Sequence, residues 1–180
     1  MNHLVVLVID VQQAFRVPPH VAFEVERVIA AINELAARAR AAGIPVLFVQ
    51  HESTSGPFVR GAATWELAEG MRVEPGDRII AKKASDAFHE TGLAELLREL
   101  QVSELVVCGM QSDYCVDSTV RRALALGFDV RLVADAVTTI ANGVLDAPRI
   151  TAHHVKTLTG ISSYPGRASA RAVDDALATS

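Results

Sequence analysis

The chain has only two cysteines, Cys108 and Cys115, in 180 residues. That is too few for the disulfide framework of a small secreted domain, and it points to a reducing, intracellular setting. Positive charge is not in excess either: 17 Lys and Arg against 21 Asp and Glu leave a formal net charge of -4. No basic face for nucleic acid or an anionic membrane is therefore expected. The sequence lacks an apolar run long enough to span a bilayer, and the N-terminus enters a strand-like segment with no basic stretch before it. These absences lead to the expectation of a cytoplasmic protein with neither nucleic-acid nor membrane partners. There is no internal repeat, which excludes a solenoid, and low complexity is confined to alanine enrichment within helices. Half of the residues are hydrophobic, enough for a single domain over 1–180 with a sizeable core.

The apolar residues that are present alternate between strand and helix patterns. Leu4 to Ile9 is continuously apolar and β-branched, the mark of a parallel strand covered on both faces, and it ends on Asp10. After Pro18 and Pro19, residues Ala22 to Ala42 form an alanine-rich helix with apolar positions at Val25, Val28, Ile29, Ile32 and Leu35. Gly43 closes it, and Pro45 opens the strand Val46 to Val49. The longest irregular stretch, His51 to Asp77, precedes a third strand from Arg78 to Ala81 that runs into Lys82. Loops of that length in a compact domain are usually functional or mobile. A helix over Leu93 to Leu100 leads to the strand Leu105 to Cys108. Gly109 then permits a bend, and a helix whose stripe is Val116, Val120, Ala123 and Leu124 follows, stopped by Gly127. The strand Asp129 to Val133 and a helix over Pro148 to Leu158 complete the pattern. The segment from Gly160 onward reads as an edge strand with a short helix or as a tail that orders on a partner, with little apolar content for a core.

This alternation predicts an α/β fold: three layers, α/β/α, around a doubly wound, mainly parallel sheet of about six strands in the order 3-2-1-4-5-6. Such sheets bind ligands at the carboxyl ends of their strands. Three chemically useful residues fall at three such ends: Asp10, Lys82 and Cys115. A carboxylate can take a thiol proton and return it to a leaving amine, an ammonium can stabilise a thiolate, and the thiol can attack a carbonyl carbon. Placed in the first turn of its helix, Cys115 is expected to meet unpaired N–H groups and the positive end of the helix dipole, which favour the thiolate. Cys108, mid-strand, is expected to be an inert core residue. Taken singly, Asp10 could be a turn cap and Lys82, beside Lys83, a solvated side chain; the coincidence of all three at equivalent positions favours chemistry.

Over nearly its whole length the chain resembles the isochorismatase-like cysteine hydrolases, through three separated motifs. In VIDVQQAF, Asp10, Gln12 and Phe15 match D-x-Q-x-x-F. In KKASDAFHETGL, Lys82 stands four residues before Asp86, with Ala87, Phe88, Thr91 and Leu93 completing K-x-x-x-(S/D)-A-F-x-x-T-x-L, a spacing that selects Lys82 over Lys83. In CGMQSDYCVDSTVRRALALGFDVRLVADA, the G-x-x-(T/S)-x-x-C-V motif ends on Cys115 and Val116. The resemblance implies an Asp10, Lys82 and Cys115 catalytic set that hydrolyses small amides and related C–N bonds through a covalent thioester-type intermediate. It further implies an oxyanion hole from the backbone N–H groups of Gln111 and Cys115, a cis peptide at Met110–Gln111, and a homodimer or homotetramer.

Two departures from the wider family narrow the reading. Nicotinamidases of this superfamily carry an Asp-x-His metal motif after the second strand, where this chain reads Val49-Gln50-His51-Glu52-Ser53. A lone His51 suits a pocket wall better than a metal site, and the neighbours His153 and His154 point about 100° apart on a helix. No metal and no cofactor is therefore expected. Isochorismatase itself cleaves a vinyl ether without needing the cysteine, so Cys115 favours a small-molecule amide as substrate. Phe15, His51, Trp65, Phe88 and Tyr114 are the candidate pocket residues, with core or lid packing as their other possible role. An ether hydrolase, or a non-catalytic flavodoxin-like domain using Cys115 as a thiol sensor, are the alternatives; the sensor has no need of Asp10.

Overall fold

The structure is a computed structural model, and it describes residues 3–178. Six parallel strands form one sheet in the order β3-β2-β1-β4-β5-β6, as expected. They are β1 (Leu4–Ile9), β2 (Val46–His51), β3 (Arg78–Lys82), β4 (Glu104–Met110), β5 (Asp129–Thr138) and β6 (Ala168–Arg171). The helices are α1 (Val25–Ala41), α2 (Leu93–Glu99), α3 (Cys115–Ala125) and α4 (Ala147–Thr159). None of the described helices is long and apolar enough to cross a membrane.

Successive side chains of a strand point to opposite faces, and β1 divides its residues accordingly. Val6 and Val8 pack with Ile29, Ile32 and Leu35 of α1, together with Phe48, Val106 and Cys108. Val5, Leu7 and Ile9 pack on the other face with Leu93 and Leu97 of α2, Val120 and Leu124 of α3, and Leu158 of α4. Because both faces are covered, β1 is apolar throughout rather than alternating, which is why a continuous run marks it.

Several boundaries differ from the sequence expectation. The first long helix begins at Val25 rather than Ala22, because Glu24 takes a left-handed conformation, φ 46°, and ends the preceding turn there. β2 runs on to His51, whose register partner on β3 is Lys82. β5 continues five residues past Val133: a register shift between Val107 and Gly109 on β4 lets it resume pairing, Gly109 with Val137 and Met110 with Thr138. The C-terminal segment forms the edge strand β6 and a 3-10 turn at Val173–Asp175, and it joins the core. Val173 and Ala176 are buried against the α1 face, while the buried Arg131 guanidinium pairs with Glu104 and donates to the carbonyls of Ala176 and Ala178.

Gly109 sets a close approach of β4 to β1. It pairs with Ile9 at φ +115°, and a Cβ there would lie 2.1 Å from the Ile9 carbonyl oxygen. Only glycine lets β4 pass β1 at this distance, and the residues that follow the two strands here are Asp10 and the β4–α3 turn.

Candidate active site

Parallel pairing aligns the strand ends, so the register alone brings the three chemical groups to one rim. Asp10 leaves β1 at φ 49°, its N–H donating to the Val49 carbonyl, and is fully buried. Lys82 closes β3 with its side chain folded inward. Cys115 opens α3 after a turn that contains a cis peptide at Met110–Gln111. Lys82 Nζ lies 2.7 Å from Asp10 Oδ2, 3.3 Å from Cys115 Sγ, and donates to the Ala84 carbonyl at 3.0 Å. The ammonium thus sits between the carboxylate and the thiol, with 2% of the residue exposed.

Charge in so little water has consequences for each group. Burial raises the Asp10 carboxyl above its ordinary value, against the opposing pull of Lys82. Besides the Lys82 charge, side-chain hydrogen bonds from Cys115 and Lys82 to the carboxylate oppose that rise. The Cys115 thiol is pushed up to about 12, first by burial and next by the Asp10 charge, with Lys82 opposing. This corrects the expectation of a thiolate favoured by the helix terminus: a helix dipole is worth at most about 2 kcal/mol in favourable geometries, and desolvation beside a carboxylate outweighs it. At rest Cys115 is a thiol. Cys108, fully buried on β4, is likewise pushed up by burial alone.

The turn after β4 presents backbone donors beside the thiol. Ser112, Tyr114 and Val116 give their N–H groups to Thr138, Gln111 and Gln111 carbonyls respectively. Among the described residues the N–H groups of Gln111 and Cys115 are engaged by no carbonyl. Burial and then Lys82 hold the His51 imidazole below its usual range, so its Nδ1 keeps a lone pair toward Lys82 Nζ, 3.3 Å away.

The candidate pocket residues divide. A cavity of about 410 Å3 next to the turn is lined by Phe15, Phe58, Gln111, Asp113 and Tyr114, among others. Phe15 and Tyr114 are therefore on its wall. His51 packs its ring edge against Phe58, 5.4 Å between centroids, and so backs that wall while touching Lys82. Phe88 is not on it: buried in the core against Phe128, with ring centroids 6.0 Å apart, it packs the α2–α3 face, and the forty residues separating the two rings hide this in the sequence. Trp65 serves through its backbone, its carbonyl accepting from Gln12 Nε2 at 2.7 Å and Gln50 Nε2 at 2.9 Å, while its ring lies under Arg60. A larger cavity, about 600 Å3, lies over β5 between α1 and α4; neither it nor the cavity next to the turn has Asp10, Lys82 or Cys115 on its wall.

Two supporting residues had no role assigned from sequence. Gln12 is fully buried and clamps the long loop to β2, accepting from the His51 N–H and donating to the His51 and Trp65 carbonyls. Its place in D-x-Q-x-x-F was the available signal. Thr119 on α3, also buried, accepts from the Ala87 N–H at 3.0 Å and ties the segment after Lys82 to the cysteine helix. Its only signal was a hydroxyl on the apolar side of a helix. Among the described residues no three His, Cys, Asp or Glu side chains come together to hold a metal ion.

The chain is similar to known proteins in sequence and in fold. The family model for the isochorismatase domain matches residues 4–147. A streptothricin hydrolase of Streptomyces noursei is 38% identical over 137 residues, covering 74% of this chain and 53% of that protein. A ureidoacrylate amidohydrolase of Methylobacterium radiotolerans is 29% identical, covering 72% and 65%. A solved structure of an isochorismatase family protein superposes with a TM-score of 0.85 at 31% identity, covering 94% of this chain and 99% of that one. The chain spans about half the length of the streptothricin hydrolases that it matches.

Proposed function

The chain belongs to the isochorismatase family, and from that premise we propose that it is a cysteine-dependent amidohydrolase that cleaves a C–N bond of a small molecule through a thioester. The observation that carries the reading is the single ammonium, Lys82, held within 2.7 Å of a buried carboxylate and 3.3 Å of a half-buried thiol. The relatives named as a ureidoacrylate amidohydrolase and a streptothricin hydrolase support hydrolysis of this bond type.

The chemistry follows from the charges. As Sγ of Cys115 adds to the substrate carbonyl carbon, Asp10 takes the thiol proton, so a free thiolate never has to be formed in a site that disfavours it. Burial raises Asp10, which brings its basicity toward that of the thiol and eases the transfer. Lys82 offsets the negative charge as it passes from carboxylate to sulfur. The N–H groups of Gln111 and Cys115 donate to the developing oxyanion, a contribution of about 3 kcal/mol per donor. The C–N bond breaks, the amine leaves with the proton from Asp10, and the acyl group remains on sulfur. Water then gives a proton to Asp10 and attacks the thioester. The carboxylic acid departs, and the thiol recovers the proton.

The test is amine or ammonia release from a panel of primary amides, ureido compounds and streptothricin, with wild type and Cys115→Ala side by side in the presence of chelator. Release that is lost in the variant and indifferent to chelator is expected. Amine release that survives in Cys115→Ala would refute the thiol mechanism, no release from any compound would favour ether-type hydrolysis, and a reactive Cys115 without any turnover would favour a thiol sensor.

A further inference from the structure

The cavity lined by Gln111 and Tyr114, in the turn that leads into Cys115, carries one permanent charge on its wall, and among the described residues that charge has no counterion in ion-pair range. Asp113 lies in the turn between β4 and α3, half-buried, and lines the cavity with Gln111 and Tyr114. No cation is within ion-pair distance of it among the described residues; its bond is from the Thr139 hydroxyl to Oδ1. That bond fixes the next one. A hydroxyl has one proton, Thr139 gives it to a carboxylate that cannot donate, and so Thr139 Oγ1 can only accept from Gln111. Gln111 must present Nε2 to it, at 3.4 Å, which leaves the Gln111 side-chain carbonyl without a partner among the described residues. The turn that supplies the backbone donors for an oxyanion thus also displays two acceptors, Asp113 Oδ2 and Gln111 Oε1.

The rest of the cavity suits the same ligand. Tyr114, 55% exposed, and Phe15 and Phe58, packed at 5.4 Å between centroids, put aromatic rings on its wall, and the π-systems of such rings attract cations. The exposed His20 and Asn142 also line it, but Asn142 spends its side-chain carbonyl on the N–H groups of Val144 and Leu145. In the depth of the site Asp10 and Lys82 cancel, so Asp113 sets the sign of the local field.

We propose that Asp113, with the Gln111 side-chain carbonyl, selects amides whose non-reacting part carries a hydrogen-bond-donating cation, an ammonium or a guanidinium, over those that carry a carboxylate there. The inference rests on the hydrolase reading, because it is the remainder of an amide substrate that would occupy this cavity. It is tested without turnover, by the charge preference of thiol modification at Cys115. Aminoethyl and sulfonatoethyl methanethiosulfonate are matched in size and opposite in charge; Sγ attacks the sulfenyl sulfur, a disulfide forms and methanesulfinate leaves. The ratio of their rate constants is divided by the same ratio for 2-mercaptoethanol, with the modified peptide identified by mass.

Wild type is expected to prefer the cation by about tenfold, and Asp113→Asn, which keeps the acceptor for Thr139, to lower that preference at least about threefold, as for one charge lost a few Å away at partly screened range. Asp113→Glu should retain it, which separates loss of charge from loss of structure. No cation preference in wild type, or an unchanged preference in a folded Asp113→Asn, overturns the proposal. A cation preference in a protein that hydrolyses no amide would sink the hydrolase reading and leave a cation-selective cavity, so the two failures are distinct.

Discussion

Replacing Asp10 by asparagine should make Cys115 more acidic while abolishing hydrolysis. In wild type the thiol is pushed up to about 12 by burial and by the neighbouring carboxylate. Since Lys82 Nζ touches both groups, Asp10 Oδ2 and Cys115 Sγ are no more than about 6 Å apart, and at an effective dielectric of about 20 their repulsion is worth roughly 2–3 kcal/mol. Asparagine removes that repulsion and also leaves the buried Lys82 ammonium without its counterion, a situation that costs about 3–5 kcal/mol and that a thiolate at 3.3 Å relieves. Both effects favour ionisation. The sign is therefore a lower thiol pKa, by enough to raise the thiolate fraction at a given pH about a hundredfold. The assay is the ultraviolet absorbance of the thiolate against pH, with Cys115→Ala as the blank. Alkylation by iodoacetamide should gain less, about tenfold, because a thiolate of lower pKa is a weaker nucleophile. Ammonia release should be lost with the proton-transfer group. A folded Asp10→Asn whose thiol titrates at or above the wild-type position would refute the electrostatic account of the site.

Gly109→Ala should destabilise by about 4 kcal/mol or more, since its Cβ meets the Ile9 carbonyl oxygen at 2.1 Å and its φ is +115°; for a chain of this size that lowers Tm by about 10 °C or more, read by calorimetry. Gln12→Leu removes the bonds to His51 and Trp65 and leaves their buried backbone groups unpaired at about 1–3 kcal/mol each, so urea unfolding should shift and the 52–77 loop should gain protease sensitivity before the rest of the chain does.

The sheet was legible because burial on both faces writes itself as uninterrupted apolar runs such as Leu4 to Ile9, and the strand-end rule then located Asp10, Lys82 and Cys115 without any contact information. What escaped depended on distant packing. Phe88 looked like a pocket residue because it follows Lys82 in a motif, yet its partner is Phe128 on the far side of α3. The acidity of Cys115 was misjudged because the helix terminus is a local feature and burial is not; the thiol feels Asp10 from a strand a hundred residues earlier. β5 continues past Val133 only because β4 shifts register between Val107 and Gly109. The C-terminal segment has few apolar residues, and its ordering rests on the Arg131 guanidinium as much as on Val173 and Ala176. Gln12 and Asp113 stood in plain view within the motifs, but their roles lie in partners, His51, Trp65 and Thr139, that the fold alone brings to them.

The central claim is covalent catalysis by Cys115, and rapid-quench mass spectrometry of the enzyme during turnover tests it most directly. The account predicts a transient mass increase equal to the acyl part of the substrate, located on the peptide that contains Cys115, appearing with amine release and decaying with formation of the acid. Amine release with no adduct at any time, and of the same rate in Cys115→Ala, would contradict it.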